Sequence, residues 1–208
     1  MNASEFPYVF FPVGLNVKGR RCIVVGDDHE AYEKAEALEE VGADVVRLRD
    51  VARVKDDDFA DAFFVITTPQ DEALSARLRA LADKHRFLLC AIDQPKHGFV
   101  AMQALVKSGP ARIAISTGGV SPRVGGALKS ALQAALGEKF ARFLSCLNAQ
   151  RERNKVRLQD GNTRRSTMRA AAGGFALDVK VQYPAWFEEE LAALEPQVVV
   201  AQEQERGG

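Results

Sequence analysis

Short apolar runs alternate with segments whose apolar residues recur every three or four positions in the first 120 residues. The runs predict five strands, at residues 21–26, 44–48, 63–67, 87–92 and 112–116. The periodic segments predict helices at residues 29–41 and 71–84, and Gly42 follows the first where a helix stop is expected. Strands that alternate with helices are typical of βαβ units. The pattern therefore predicts an α/β, Rossmann-like fold with a doubly wound parallel sheet.

The pattern changes after residue 121. Residues 124–147 are rich in Ala and Leu at helical spacing, and no strand is predicted between them and Arg169. We therefore expect a dinucleotide-binding domain at residues 1–120 and a mainly helical region at 121–208. Residues 148–169 are strongly basic. They are interpreted either as a solvated helix face or as a binding site for a polycarboxylate.

The turn after the first strand contains the first candidate site. In doubly wound folds the pyrophosphate of a dinucleotide rests on the first crossover helix, where glycines let the backbone approach. Here Gly26 and Ala31 are in place, but Asp27 and Asp28 stand between them. Two carboxylates would oppose a phosphate, although an Asp at this position also caps a helix. The acid at Asp50, with Val51 beside it, has nearly the spacing expected of a residue that binds the adenosine ribose. This spacing favours NAD over NADP, although the nearby Arg47 and Arg49 weaken the preference.

Composition narrows the function classes. The formal net charge is zero, so the chain has no general attraction for nucleic acid or anionic membrane. No apolar run approaches the ~18 residues of a membrane span, and the N-terminus lacks the basic region of a secretory signal, so a cytoplasmic protein is expected. The three cysteines lie far apart and form no CxxC pair. Neither a disulfide framework nor a permanent metal site is predicted.

A set of motifs in fixed order resembles one family. They are the segment 11–19 (FPVGLNVKG), Gly26, Lys34-Ala35, the segment 41–45 (VGADV), the segment 91–95 (AIDQP), Phe99 and the segment 113–122 (IAISTGGVSP). Together they look like the precorrin-2 dehydrogenase / sirohydrochlorin ferrochelatase family, the dehydrogenase–chelatase module of siroheme synthase, over about residues 7–145. The chain departs from the family pattern at Asp27-Asp28, at Thr68-Pro69-Gln70 and at Met102-Gln103.

The resemblance implies NAD-dependent oxidation of precorrin-2 to sirohydrochlorin, followed in bifunctional members by insertion of Fe²⁺, a substrate, to give siroheme. It also implies a homodimer formed by the segment after Ser121-Pro122. The catalytic Asp of the family corresponds to Asp93, just past the fourth strand, where ligands bind in open α/β sheets. His29 and Glu30 are implied to meet the pyrophosphate through backbone groups.

The loop after the fifth strand is the second candidate site. Its glycines and hydroxyls suit substrate carboxylates, and Thr117 corresponds to an active-site hydroxyl of the family. The same loop is also a natural helix N-cap, with Ser ahead of Pro. The candidate substrate-binding residues are Ser116, Thr117, Gly118, Gly119 and Ser121.

Two other functions remain open. The Asp27-Asp28 turn favours a regulatory or binding module that keeps the fold without NAD. The strand pattern alone would also fit a nucleotide-sensing module of a transport regulator, but that hypothesis leaves the segment 116–122 unexplained.

Overall fold

Four of the predicted strands form one parallel sheet in the order β2-β1-β3-β4. They are β1 (Arg21–Val25), β2 (Asp44–Leu48), β3 (Phe64–Thr67) and β4 (Leu88–Ala91). Strand β1 is almost wholly buried, as expected for an apolar run covered on both faces. The computed structural model describes residues 10–192. Residues 1–9 and 193–208 lie outside the described part. The N-terminal segment that was considered above as a secretory signal falls mostly within the first of these ranges.

Helices α1 (His29–Glu40) and α2 (Glu72–His85) cover opposite faces of this sheet. Side chains that alternate along each strand separate into two apolar clusters. Ile23 belongs to the cluster that contains Leu78 of α2, whereas Val24 belongs to the cluster that contains Ala35 of α1. This arrangement confirms the predicted doubly wound architecture. The carboxyl ends of β1 and β3 are thereby neighbours at the point where the strand order reverses. This point is the usual ligand crevice of such sheets.

The ends of α1 follow from single side chains. The carboxylate of Asp28 caps the first turn, and Gly42 after the last turn has φ +82°, which favours glycine. Helix α2 begins in the same way, with the Asp71 side chain accepting a hydrogen bond from the Leu74 N–H at 3.0 Å. The predicted helices therefore begin and end within one or two residues of the observed bounds.

The fifth strand was predicted to extend the parallel sheet, and this prediction is wrong. It is β6 (Ala111–Ile115), and it pairs antiparallel with β5 (Ala104–Ser108), which the sequence analysis missed. Only Gly109 and Pro110 join these two strands, which suffices for a hairpin, whereas a parallel connection needs a long crossover.

The helical region begins with α3 (Pro122–Ala135), whose Ser121 N-cap and Pro122 first position confirm the predicted helix start. The single helix expected over residues 124–147 is interrupted at Leu136 and Gly137, where glycine disfavours helix continuation. The helices that follow are α4 (Glu138–Arg157) and α5 (Gly161–Ala171).

Contacts divide the chain into two compact units after Cys146, within α4. The first unit holds both sheets and the candidate sites. The second holds the basic segment, α5 and a helix at residues 185–192. The boundary expected at residue 120 stays a prediction. Within residues 10–192, no helix is both long and apolar enough to cross a membrane.

Candidate active site at the carboxyl ends of the strands

The parallel strands bring two residues that were predicted to be functional, and one that was not, to the same edge of the sheet. Gly26 follows β1, Thr68 follows β3 and Asp93 follows β4 shortly after its last residue. Because all strands of this sheet run in the same direction, these positions share its carboxyl edge. The site is therefore assembled by topology from segments that are distant in sequence.

Gly26 is required by its surroundings. Its φ of +136° is a conformation that side chains rarely adopt, and a Cβ added there would overlap the Thr68 hydroxyl oxygen. The N–H of Gly26 donates to the carbonyl of Leu48 at 3.1 Å, and the N–H of Thr68 donates to that of Val25 at 3.1 Å. These bonds fix a tight turn whose backbone is open to close approach by a ligand.

Asp28 occupies the N-terminus of α1. Its Oδ1 accepts the Ala31 N–H at 2.7 Å, and its Oδ2 accepts the Thr68 hydroxyl at 2.6 Å. The bond from Thr68, then that from Ala31, holds the pKa of Asp28 below its usual range. The capping interpretation of this residue is confirmed. A charged carboxylate thus takes part of the helix end on which a pyrophosphate would rest.

Beside this turn lies a pocket of about 240 Å³ between the ends of β1 and β2. It is lined by Val24, Gly26, Asp27, Asp28, Ala31, Tyr32, Arg47 and Arg49. The guanidinium of Arg47 lies 5.0 Å from the centre of the Tyr32 ring and 2.9 Å from Glu39 Oε1. An aromatic ring and two guanidinium groups beside a glycine turn can hold a flat, phosphorylated ligand.

The four-residue loop after β3 connects this turn to the candidate base. Thr68 bonds to Asp28, and two residues later the Gln70 side-chain amide donates to Asp93 Oδ2 at 3.2 Å. Asp93 itself has φ +58°, in the left-handed region that Asp and Asn tolerate best. The carboxylate is exposed and accepts its hydrogen bond from Gln70, and its role as a general base stays a prediction.

The segment after Asp93 is anchored to α2. Glu72 Oε1 contacts His97 Nε2 at 2.8 Å and Lys96 Nζ at 2.9 Å, and the bonds from Lys96 and His97 lower the pKa of Glu72. Arg79 lies over the Phe99 ring at 3.7 Å. These contacts give His97 a structural partner and hold the loop that carries Asp93.

The loop at residues 116–122 is closed by its own hydroxyl groups. Thr117 Oγ1 donates to the Ser121 carbonyl at 3.0 Å, and Ser121 Oγ accepts the Val124 N–H at 3.3 Å. Ser116 Oγ accepts the Gly118 N–H at 3.2 Å. The glycines Gly118 and Gly119 have φ of +62° and +78°. This loop is therefore a shaped entry to α3, and its predicted contact with substrate carboxylates stays a prediction.

Comparison with known proteins agrees with this geometry. Residues 13–104 match a family model described as putative NAD(P)-binding. A siroheme synthase of Thioalkalivibrio sulfidiphilus is 28% identical over 175 residues, and one of Nitrosospira multiformis is 28% identical over 209 residues. These alignments cover 75% and 88% of the chain but 36% and 44% of the relatives. The chain thus spans less than half the length of these two curated relatives.

A solved structure of SirC, a precorrin-2 dehydrogenase, superposes with a TM-score of 0.67. The superposition covers 79% of this chain and 90% of that one at 18% identity, so it establishes the fold. The motifs, the family model and the fold agree. The chain therefore resembles the precorrin-2 dehydrogenase / sirohydrochlorin ferrochelatase family and has the fold of SirC.

The residues around Gly26 fit the adenosine part of the nicotinamide dinucleotide associated with this family. The space beside Gly26, which a Cβ at this position would fill, adjoins the pocket that is lined by the Tyr32 ring and the guanidinium groups of Arg47 and Arg49. Asp28 weakens the fit at the pyrophosphate, because its carboxylate accepts the Ala31 N–H at the helix N-terminus. The side chains of His29 and Glu30 pair along α1 with Glu33 and Lys34, and the contact of their backbone groups with the pyrophosphate stays a prediction.

Two predicted cofactor residues lie outside the pocket beside Gly26. Asp50 Oδ1 accepts the Ala52 N–H at 3.1 Å, and its Oδ2 pairs with Arg53 at 3.0 Å, so it caps a short 3₁₀ turn. Val51 packs against the apolar cluster of α2. Neither residue lines the pocket.

Sequence analysis missed Thr68, Gln70 and Tyr32 as members of the site. The first two were noticed only as departures from the family motif. Their position directly after a buried strand was the available signal. In the described part of the chain, no three His, Cys, Asp or Glu side chains cluster as metal ligands would.

Proposed function

We propose that the chain oxidises precorrin-2 to sirohydrochlorin with a nicotinamide dinucleotide, as a step of siroheme biosynthesis. The observation that carries this proposal is the link from the Gly26 turn through the loop after β3 to Asp93. It sets a dinucleotide-type pocket and an exposed carboxylate on one edge of the sheet. The similarity to siroheme synthases and to the SirC fold supports the substrate class.

Oxidation removes a hydride and a proton from the reduced macrocycle, and a bound nicotinamide supplies the hydride acceptor. The carboxylate of Asp93 takes the proton. Gln70 holds one of its oxygens at 3.2 Å and leaves the other for the substrate. The anchored loop of Lys96 and His97 keeps the carboxylate in place after the proton has moved.

The test is conversion of precorrin-2 followed by the absorbance of sirohydrochlorin, with NAD⁺ and with NADP⁺. Asp93→Asn keeps the shape and the left-handed backbone but cannot take a proton. We expect turnover to fall by roughly 10²–10⁴, the usual loss of a positioned general base. Asp57→Asn, an exposed change in the segment before β3, is the matched control. Turnover within about threefold of the parent in Asp93→Asn would remove this residue from the mechanism, and no product at high protein concentration would remove the function.

The choice of NAD, which the spacing of Asp50 predicts, stays a prediction. Asp50 is engaged in its own turn, so it gives the prediction no support from geometry. Insertion of Fe²⁺ as a second substrate is a separate activity of the same site. A siroheme spectrum on adding Fe²⁺ and sirohydrochlorin, lost in Asp93→Asn, is the result that would establish it.

The partner of this enzyme is a second copy of the chain. Val120, Val124 and Leu128 are spaced by four residues and are 61%, 51% and 41% exposed, which leaves an apolar face along the start of α3. Leu128→Asp is expected to shift the mass in light scattering from dimer to monomer, whereas Ser130→Asp on the same helix is not. A monomeric parent protein would contradict this part of the proposal.

A second candidate function rests on Asp28. A carboxylate already bonded at the α1 N-terminus would suit a regulatory module that has lost its cofactor. Calorimetry with NAD⁺ and NADP⁺ separates the two functions. Binding of either dinucleotide supports the enzyme, and absence of heat with both at millimolar concentration supports the module.

A further inference from the structure

The pocket beside Gly26 has its positive charge at one end. Both guanidinium groups that line it come from the carboxyl end of β2, Arg47 within the strand and Arg49 just after it. In doubly wound folds this position lies next to the adenosine ribose of a bound dinucleotide. An acid there binds the ribose 2′-hydroxyl, whereas an Arg accommodates a 2′-phosphate.

The acid expected at this position is engaged outside the pocket. Both carboxylate oxygens of Asp50 have partners in the turn that follows, the Ala52 N–H and the Arg53 side chain. The acids that do line the pocket are Asp27 and Asp28, on the turn after β1. Strand β2 and the residue after it therefore contribute two guanidinium groups and no carboxylate to the pocket lining.

The two arginines differ in how strongly they are held. Arg47 is 24% exposed and is fixed between Glu39 and the Tyr32 ring. Arg49 is 65% exposed, and its contact with Asp27 is long, 4.0 Å from Nε to Oδ1. Asp27 is itself 74% exposed and can turn to solvent when a stronger anion arrives. A phosphate forms bidentate hydrogen bonds with a guanidinium, which this loose pair does not.

We propose that this pocket selects the 2′-phosphate of NADP over the 2′-hydroxyl of NAD, with Arg49 as the contacting residue and Arg47 as a second, fixed cation. The proposal rests on the proposed function only in taking the pocket as the adenosine site of a nicotinamide dinucleotide. It adds the substituent that the pocket recognises and the residue that recognises it.

Half-cofactors test this without any need for turnover. Adenosine 2′,5′-bisphosphate carries the 2′-phosphate, 5′-AMP lacks it, and adenosine 3′,5′-bisphosphate has the same charge on the neighbouring hydroxyl. All three share the 5′-phosphate, so any repulsion by Asp28 cancels in their ratios. We expect calorimetry at low salt to give the 2′,5′-bisphosphate about tenfold tighter binding than either of the others, the equivalent of one charge-assisted contact.

Three variants assign the effect. Arg49→Gln should reduce the preference to about threefold or less, since one residual cation remains. Arg53→Gln, an exposed arginine outside the pocket lining, should retain it. Asp50→Asn should leave the binding of 5′-AMP unchanged, because the carboxylate does not contact the ribose.

The results that overturn the inference differ from those that overturn the function. Equal binding of the three ligands, a preference that survives Arg49→Gln, or one lost equally in Arg53→Gln would each refute the selection of a 2′-phosphate. So would weaker binding of 5′-AMP to Asp50→Asn. Precorrin-2 oxidation would stand in all these cases. If no half-cofactor binds at millimolar concentration, the dinucleotide site itself falls, and the proposed function falls with it.

Discussion

Replacing Asp28 by Gly should tighten dinucleotide binding, because this carboxylate competes with the pyrophosphate for the end of α1. Its removal frees the Ala31 N–H, now bonded at 2.7 Å, to donate to a phosphate. A unit charge about 6 Å from a phosphate in solvated surroundings contributes roughly 0.7 kcal/mol of repulsion, and a freed N–H adds about 1 kcal/mol. The expected gain is roughly 1–2 kcal/mol, or about fivefold to thirtyfold in Kd.

The neighbouring carboxylate provides the matched control. Asp27 is 74% exposed and forms a loose ion pair with Arg49. We therefore expect Asp27→Gly to change the Kd by about threefold or less. Asp28→Asn should be intermediate, because an amide oxygen still accepts the helix N–H but carries no charge.

Calorimetric titration with NAD⁺ and NADP⁺ measures these effects. The advantage of Asp28→Gly should shrink with added salt and stay constant between about pH 6 and 9. The pKa of Asp28 lies below its ordinary value, so the carboxylate is charged throughout this range and its repulsion fades only at acid pH. Unchanged or weaker binding by Asp28→Gly, with its fold intact, would refute the argument that the carboxylate obstructs the site.

Three further predictions concern stability and reactivity. Gly26→Ala should lower the free energy of unfolding by roughly 2–4 kcal/mol in chemical denaturation, because the new Cβ would overlap Thr68 and the backbone has a φ of +136°. Gly126→Ala, where a Cβ in α3 has open space, should raise the free energy of unfolding by about 0.5–1 kcal/mol. Of the three thiols, we expect only that of the exposed Cys146 to react rapidly with a disulfide reagent at pH 8, because burial raises the pKa of Cys90 to about 11 and also raises the pKa of Cys22. Rapid reaction of all three thiols would contradict the burial of Cys22 and Cys90. Arg164→Gln should increase protease sensitivity after α4, because the Arg164 guanidinium donates to the carbonyls of Leu158 and Gln159 at 2.7 Å. If Arg164→Gln instead raises KM without changing protease sensitivity, and Arg151→Gln does not raise KM, the polycarboxylate interpretation of the basic segment is favoured.

The parallel core was predictable because its two central strands, β1 and β3, are buried on both faces. Apolar runs such as β1 and β3 have few other structural explanations, and the capped helices between them force parallel pairing. The hairpin was not predicted because Ala104–Ser108 carries only a weak alternation. The Gly109-Pro110 pair between the two strands was the signal that would have found it.

The site was predictable to the extent that it follows strand ends. Gly26 and Asp93 lie at such ends, so their positions could be predicted from the strand pattern and the family motifs. Asp50 also lies at a strand end, yet its carboxylate turns to the Ala52 N–H. Spacing fixes where a Cα lies along a fold. It does not fix which of several nearby donors a short acidic side chain chooses.

Asp28 and Arg49 act on opposite ends of the same pocket. Asp28 takes a donor from the pyrophosphate end, and Arg49 adds one at the ribose end. A dinucleotide whose extra phosphate contacts Arg49 could recover there what it loses beside Asp28, because each change amounts to about one charge-assisted hydrogen bond. NAD has no group to make the second contact, so it bears the repulsion without the compensation. On this reasoning Asp28→Gly should improve NAD⁺ and NADP⁺ binding by the same factor, whereas Arg49→Gln should weaken only NADP⁺. A double variant should then bind the two dinucleotides within about threefold of each other, the preference that Arg47 leaves, and a larger difference would show that a further residue also contacts the ribose.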